Sequence, residues 1–160
     1  MIEYSVLFVC TGNTCRSPMA EGIAKRLLAE MKRVPVDQLE SAGVRVRSAG
    51  VATGGGSPAS AEAVEATKQI GVDISDHASS RLTEDLIQDA DAVYTMTDAH
   101  RQAVLMLSPS AAEKTQRLDP ASDVSDPIGA PLNAYKQTAE MIRKAIEQRI
   151  TERYGDATRR

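Results

Sequence analysis

Apolar positions along this chain change period several times, and each change marks an element. Val6 to Val9 is a short unbroken apolar run ending in Cys10, which reads as a strand. After Ser17, a natural N-cap, and Pro18, suited to the first helical position, Ala20, Ile23, Ala24, Leu27 and Met31 recur at helical spacing. Pro35 to Gly43 reads as a loop, and Val44 to Ser48 alternates apolar and basic residues, placing Val44 and Val46 on one face of a second strand. Gly54, Gly55 and Gly56, within Thr53 to Ser57, mark a flexible run, a rim loop or a plain linker. Pro58 opens a second helix to about Ile70, stopped by Gly71, and Thr83 caps a short helix carrying Leu86 and Ile87. Ala92 to Met96 is a third strand, Asp98 caps a helix bearing Val104, Leu105 and Leu107, and Gln116 to Leu118 is a weak fourth strand. A Pro-rich loop from Asp119 to Asn133 leads to a long last helix with Met141, Ile142, Ala145, Ile146 and Ile150 on one side. Residues 1–154 form the expected domain, and 155–160 a frayed, flexible tail.

Strands separated by helices predict an α/β fold with a parallel sheet and helices on both faces. At 160 residues one domain is expected. A formal charge of −3 without a basic face argues against nucleic acid as a partner. The apolar runs are too short for a bilayer span, and Met1-Ile2-Glu3-Tyr4 lacks a basic leader. The two cysteines, both in one loop, suit a reducing compartment, so a cytoplasmic enzyme is expected.

The chemistry concentrates in Val6 to Ala20. Strand, tight loop and helix start together build an anion site: unpaired backbone N–H groups converge there, and the helix dipole adds positive charge. Arg16 can grip phosphate-like oxygens with two prongs, and Cys10 sits at the loop mouth, where the positive field favours thiolate. A phosphoryl group offers three equatorial oxygens to such a cradle, with Cys10 as the in-line nucleophile. A separate acid must protonate the leaving group.

Cys10-Thr-Gly-Asn-Thr-Cys-Arg16-Ser17, with the preceding strand, Pro18 and a later Asp-Pro, resembles the signature loop of the low-molecular-weight protein phosphatases. The resemblance implies four strands in the order 2-1-3-4, which puts the loop at a topological switch point. It implies that Thr11, Gly12, Asn13, Thr14, Cys15, Arg16 and Ser17 bind the phosphoryl group. Asn13 would take a left-handed conformation that closes the loop, and Ser17 would stabilise the Cys10 thiolate. Of two Asp-Pro pairs, Asp126-Pro127 matches the context of the family's acid better than Asp119-Pro120. Asp126 would protonate the departing atom and then activate water to hydrolyse a phosphocysteine. His77 would brace the loop in a chain His77–Ser48–Asn13, or be a satisfied loop histidine without a catalytic link; His100 reads as a surface residue. Cys15 either lines the loop or, as the resemblance favours, resolves an oxidised Cys10 through a reversible disulfide. Neither a nucleotide nor a metal is implied, since no phosphate-binding Gly-Lys-Ser/Thr motif or ligand spacing is present.

Members of this family that favour phosphotyrosine tend to carry an aliphatic residue where this chain has Thr14, and aromatics after the Asp-Pro, where it has Ile128 and Gly129. There is no Trp, and the single Phe, Phe8, lies in the first strand. Thr14 offers a hydroxyl to a planar guanidinium, and the loop resembles the protein-arginine-phosphatase branch, making phosphoarginine on proteins the leading substrate. Phosphotyrosine or small aryl phosphates are the alternative. Arsenate reduction, which in this family passes through two further cysteines, and a non-catalytic phosphoprotein-binding module are weaker readings.

Overall fold

Period-two alternation in the first strand sorts the core onto two faces of one sheet. In β1 (Tyr4–Cys10) every residue is buried. Tyr4, Val6, Phe8 and Cys10 belong to one core cluster, and Leu7 and Val9 to another. The computed structural model describes residues 1–155; most of the segment expected to be a tail, residues 156–160, lies outside the described residues.

β2 (Val44–Gly50), β3 (Ala92–Thr95) and β4 (Thr115–Arg117) complete a parallel sheet in the order β2-β1-β3-β4. Helices α1 (Arg16–Lys32) and α5 (Leu132–Tyr154) contribute Met19, Ile23, Leu28, Ile142 and Ile146 to the first cluster. α3 (Glu84–Asp89) and α4 (Asp98–Leu107) contribute Ile87 and Val104 to the second. The short α2 (Ala61–Lys68) places Ala63 and Ala66 beside the first. Parallel strands need crossovers, and helices on both faces leave the crevice at the carboxyl end of β1, between β2 and β3. Among the described residues no helix is long and apolar enough to cross a membrane.

Several local expectations shift. In α1 the fully buried residues include Leu28 and Ala29, whereas Leu27 and Met31 pack only partly, because a 3.6-residue period drifts off a strict three-four spacing. The loop after α1 contains a 3₁₀ turn, Val36–Gln38. Pro58 precedes its helix rather than opening it: Ser60 is the cap, its side chain accepting from the Ala63 N–H. Thr97, not Asp98, caps α4 by accepting from the His100 N–H. Leu107 is exposed, and β4 begins one residue before the expected strand. The glycine run is tied down: Gly55 and Gly56 take φ of 91° and 83°, and Gly56 N and Ser57 N donate to Ser79 O (2.7 Å) and Ser79 Oγ (2.9 Å). There, glycine supplies turn geometry instead of slack.

Candidate active site

β1 delivers Cys10, 2% exposed, to the crevice, and five residues later α1 begins. The carbonyls of Cys10 and Thr11 are held by Val51 N (3.0 Å) and Ala52 N (2.9 Å), so the chain leaving β2 anchors the loop's outer side. Among the described residues, the N–H groups of Gly12, Asn13, Thr14 and Cys15 donate to no protein acceptor. Consecutive free donors at a helix N-terminus make an anion cradle.

Asn13 closes the loop at φ 56° and is fully buried. Its Nδ2 donates to Ser17 Oγ (2.8 Å) and Ser48 Oγ (2.9 Å), its Oδ1 accepts from Ser80 N (2.8 Å), and its carbonyl bonds His77 Nε2 (2.7 Å). The expected chain His77–Ser48–Asn13 is therefore corrected. His77 and Ser48 brace Asn13 separately, one at the main chain and one at the amide, and Ser48 hands its proton to Glu21 Oε1 (2.7 Å) instead. The loop brings Asn13, and α1 brings Glu21, within hydrogen-bond reach of Ser48, a placement that only the packed helix creates.

Ser17 lies inside α1 rather than at its cap, which is Cys15, with no side-chain cap bond. Its oxygen accepts from Asn13 and lies 2.8 Å from Cys10 Sγ. A hydroxyl has one proton, and with Asn13 donating to it that proton is left for the sulfur. Such a bond is stronger to an anionic acceptor than to a neutral one.

Arg16, 4% exposed, joins this loop to a segment more than a hundred residues later. Its Nη1 donates to Val124 O (2.8 Å), and its Nη2 lies 3.4 Å from Asp126 Oδ2 and 3.5 Å from Thr11 Oγ1. Val124 is itself tied to the end of β3 through Met96 O (2.8 Å). Asp126 Oδ1 accepts from Ile128 N (3.0 Å), which leaves Oδ2 toward the cradle. Asp119 instead uses Oδ1 to close its own turn on Ala121 N (2.9 Å).

Cys10 and Cys15 are both free thiols. Cys15 Sγ reaches Ser60 Oγ (3.5 Å) and the Tyr135 hydroxyl (3.6 Å), and Thr14 O accepts from Ser60 N (2.9 Å), so α2 and the start of α5 back the loop. Thr14 itself is partly exposed.

The expectation of a surface His100 is overturned. It is 6% exposed and its Nε2 bonds Thr11 Oγ1 (2.8 Å). Its position four residues before the buried Val104 puts both on the inner face of α4, a periodicity visible in the sequence. Burial, with Arg16 nearby, pushes its pKa down to about 4, so the ring is neutral at pH 7.

Gly50 was also missed. A Cβ there would lie 2.7 Å from Thr11 O and 3.0 Å from Asn13 N, both backbone atoms that cannot swing aside. Gly50→Ala is expected to cost about 1–3 kcal/mol of stability, lowering Tm by about 3–10 °C. By displacing the cradle it should also cut kcat/KM on p-nitrophenyl phosphate by roughly 10²-fold. Thermal melts and steady-state kinetics check both.

A family model described as low molecular weight phosphotyrosine protein phosphatase matches residues 5–154. The chain is 37% identical to a protein-arginine-phosphatase of Geobacillus stearothermophilus, over 92% of this chain and 94% of that one. It is 31% identical to arsenate reductase 2 of Staphylococcus epidermidis, over 92% and 96% of the two chains. Of solved structures, a low molecular weight protein tyrosine phosphatase from T. tengcongensis matches with a TM-score of 0.82 at 39% identity, covering 94% of this chain and 99% of that one. The YwlE arginine phosphatase, with serine replacing its active-site cysteine and that serine phosphorylated, matches with a TM-score of 0.81 at 34% identity, covering 96% and 98%.

Proposed function

The chain belongs to the low molecular weight phosphotyrosine protein phosphatase family, and from that premise we propose that it removes phosphoryl groups from phosphoarginine on proteins through a phosphocysteine. The observation that carries this is Arg16 in contact with Asp126 (3.4 Å), which sets a carboxyl beside the loop that holds Cys10. The Cys10 sulfur attacks phosphorus in line, forming S–P as the bond from phosphorus to the guanidino nitrogen breaks. The loop N–H groups and Arg16 hold the three equatorial oxygens, where charge gathers. Asp126 gives its proton to the leaving nitrogen. Its carboxylate then takes a proton from water as that water attacks phosphorus, S–P breaks, and phosphate and the Cys10 thiolate are released. Ser17, with Ser48 and His77 holding Asn13, keeps the loop in shape.

Phosphoarginine is supported by what surrounds the cradle. Tyr4 packs on Tyr154, Phe8 on Tyr94, and Tyr135 is buried against Cys15. These are the chain's only Phe and Tyr residues, Trp being absent, and none stands exposed beside the loop to sandwich a phenol. After the Asp-Pro come Ile128, 69% exposed, and Gly129. Thr14 supplies a hydroxyl where a guanidinium N–H needs a partner. The relative named as a protein-arginine-phosphatase points the same way, while the 39% identity to a protein tyrosine phosphatase keeps phosphotyrosine as the second reading. Arsenate reduction is disfavoured because the chain has no cysteine beyond Cys10 and Cys15. Under peroxide, a Cys10 sulfenic acid would condense with the Cys15 thiol, releasing water and forming a disulfide that a thiol reductant reopens. Two free thiols suit a cytoplasmic setting.

The deciding measurement is kcat/KM on matched phosphoarginine and phosphotyrosine peptides. Thr14→Ile is expected to lower it about 10- to 100-fold for phosphoarginine and raise it several-fold for phosphotyrosine. If both values stay put, Thr14 does not select.

A further inference from the structure

His100 has no part in the chemistry above, yet it is built into the site. Its ring is almost wholly buried, its Nδ1 has no hydrogen-bond partner among the described residues, and its Nε2 bonds Thr11 Oγ1 at 2.8 Å. An unpaired polar atom in a packed interior is destabilising, a penalty that a leucine on this face of α4 would avoid. A neutral ring protonated on Nε2 donates to Thr11 Oγ1 and leaves Nδ1 as a bare lone pair, so this tautomer orphans an acceptor instead of an N–H. The same Thr11 oxygen accepts from Arg16 Nη2 at 3.5 Å.

We propose that His100 is a positioning residue for Arg16, acting through the Thr11 hydroxyl. The role rests on the phosphatase activity proposed above and refines it. One arm of the guanidinium is fixed by a main-chain carbonyl, Val124 O. The other arm has two partners among the described residues, Asp126 and Thr11. In the first chemical step Asp126 is the acid, so it carries a proton and no longer offers Arg16 a full negative charge. Thr11 is then the partner that remains on that arm, and Thr11 is exposed and movable unless something holds its hydroxyl. His100 holds it from the rigid first turn of α4, whose Thr97 cap accepts from the His100 N–H. A neutral ring does this without placing a second cation beside Arg16.

The test uses the intact chain and p-nitrophenyl phosphate, with wild type and Cys10→Ser as references. His100→Leu is expected to lower kcat about tenfold with KM within about twofold, because orientation of Arg16 matters most when charge peaks in the transition state. Thr11→Val should do the same. The double variant should be no slower than either single one, since both break one path. His100→Gln, which keeps an N–H donor near Thr11, should recover kcat to within about threefold of wild type. The role is overturned if His100→Leu keeps its kcat, if the two effects multiply, or if glutamine rescues no better than leucine. Should His100→Leu fail to fold, Thr11→Val decides alone: a tenfold fall in kcat at steady KM supports the path, and an unchanged kcat overturns it. Full turnover by Cys10→Ser would instead remove the covalent mechanism, a result distinct from any of these.

Discussion

Cys10→Ser is expected to lower kcat on p-nitrophenyl phosphate by about 10⁴-fold or more, while the folded variant still binds inorganic phosphate. A serine hydroxyl is a far weaker acid than a thiol, and among the described residues no histidine or lysine hydrogen-bonds the side chain at position 10 to take its proton: Cys10 Sγ pairs with Ser17 Oγ, itself a hydroxyl. The cradle N–H groups and Arg16 do not depend on the sulfur, so anion binding should survive the substitution. Rapid acid quench of the wild type should recover phosphate on position 10, and near-normal turnover by the serine variant would end the covalent mechanism.

The second large effect is expected at Asp126. Asp126→Asn should reduce kcat about 10²- to 10⁴-fold on a phosphoarginine peptide, the range for removing a general acid. Guanidine is a very strong base, with a conjugate-acid pKa of about 12 or higher, so it cannot leave without a proton. Nitrophenolate is a weak base and leaves more readily unaided, so the loss on p-nitrophenyl phosphate should be smaller. That ratio between substrates identifies proton donation, because a merely misplaced Arg16 would slow both alike. Asp119→Asn should stay within about twofold of wild type, since its carboxylate closes a local turn. Near-normal turnover by Asp126→Asn on both substrates would point to Asp119 as the acid instead.

Much of the site was legible because it is contiguous. Cys10 to Ser17 spans eight residues, and strand, loop and helix start follow from an apolar run, an Asn able to take φ 56°, and a helix opening at Arg16. Context also favoured Asp126 over Asp119, and the structure puts Asp126 against Arg16. His100 reads as a surface residue because a polar residue near a helix start is usually solvated, although its spacing to Val104 places it on the buried face. Ser17 looked like a cap from its neighbours, yet its hydroxyl faces Asn13 and Cys10. A short polar residue before Pro reads the same in sequence whichever partner it finds.

By itself, the amino-acid sequence determined the alternation of strands and helices, the tight loop between β1 and α1 and the pair of residues, Cys10 and Arg16, at its ends. These depend on steric limits and hydrogen bonds between neighbours in the chain, which act over a few residues. Only the tertiary structure decided that Gly50 must lack a side chain, that Ser48 serves Glu21 as well as Asn13, and that Val124 and His100 hold the two arms of Arg16, one directly and one through Thr11. Those partners meet across tens of residues because helices bury their apolar faces on both sides of the sheet, and nothing local in the chain records which groups that packing brings together.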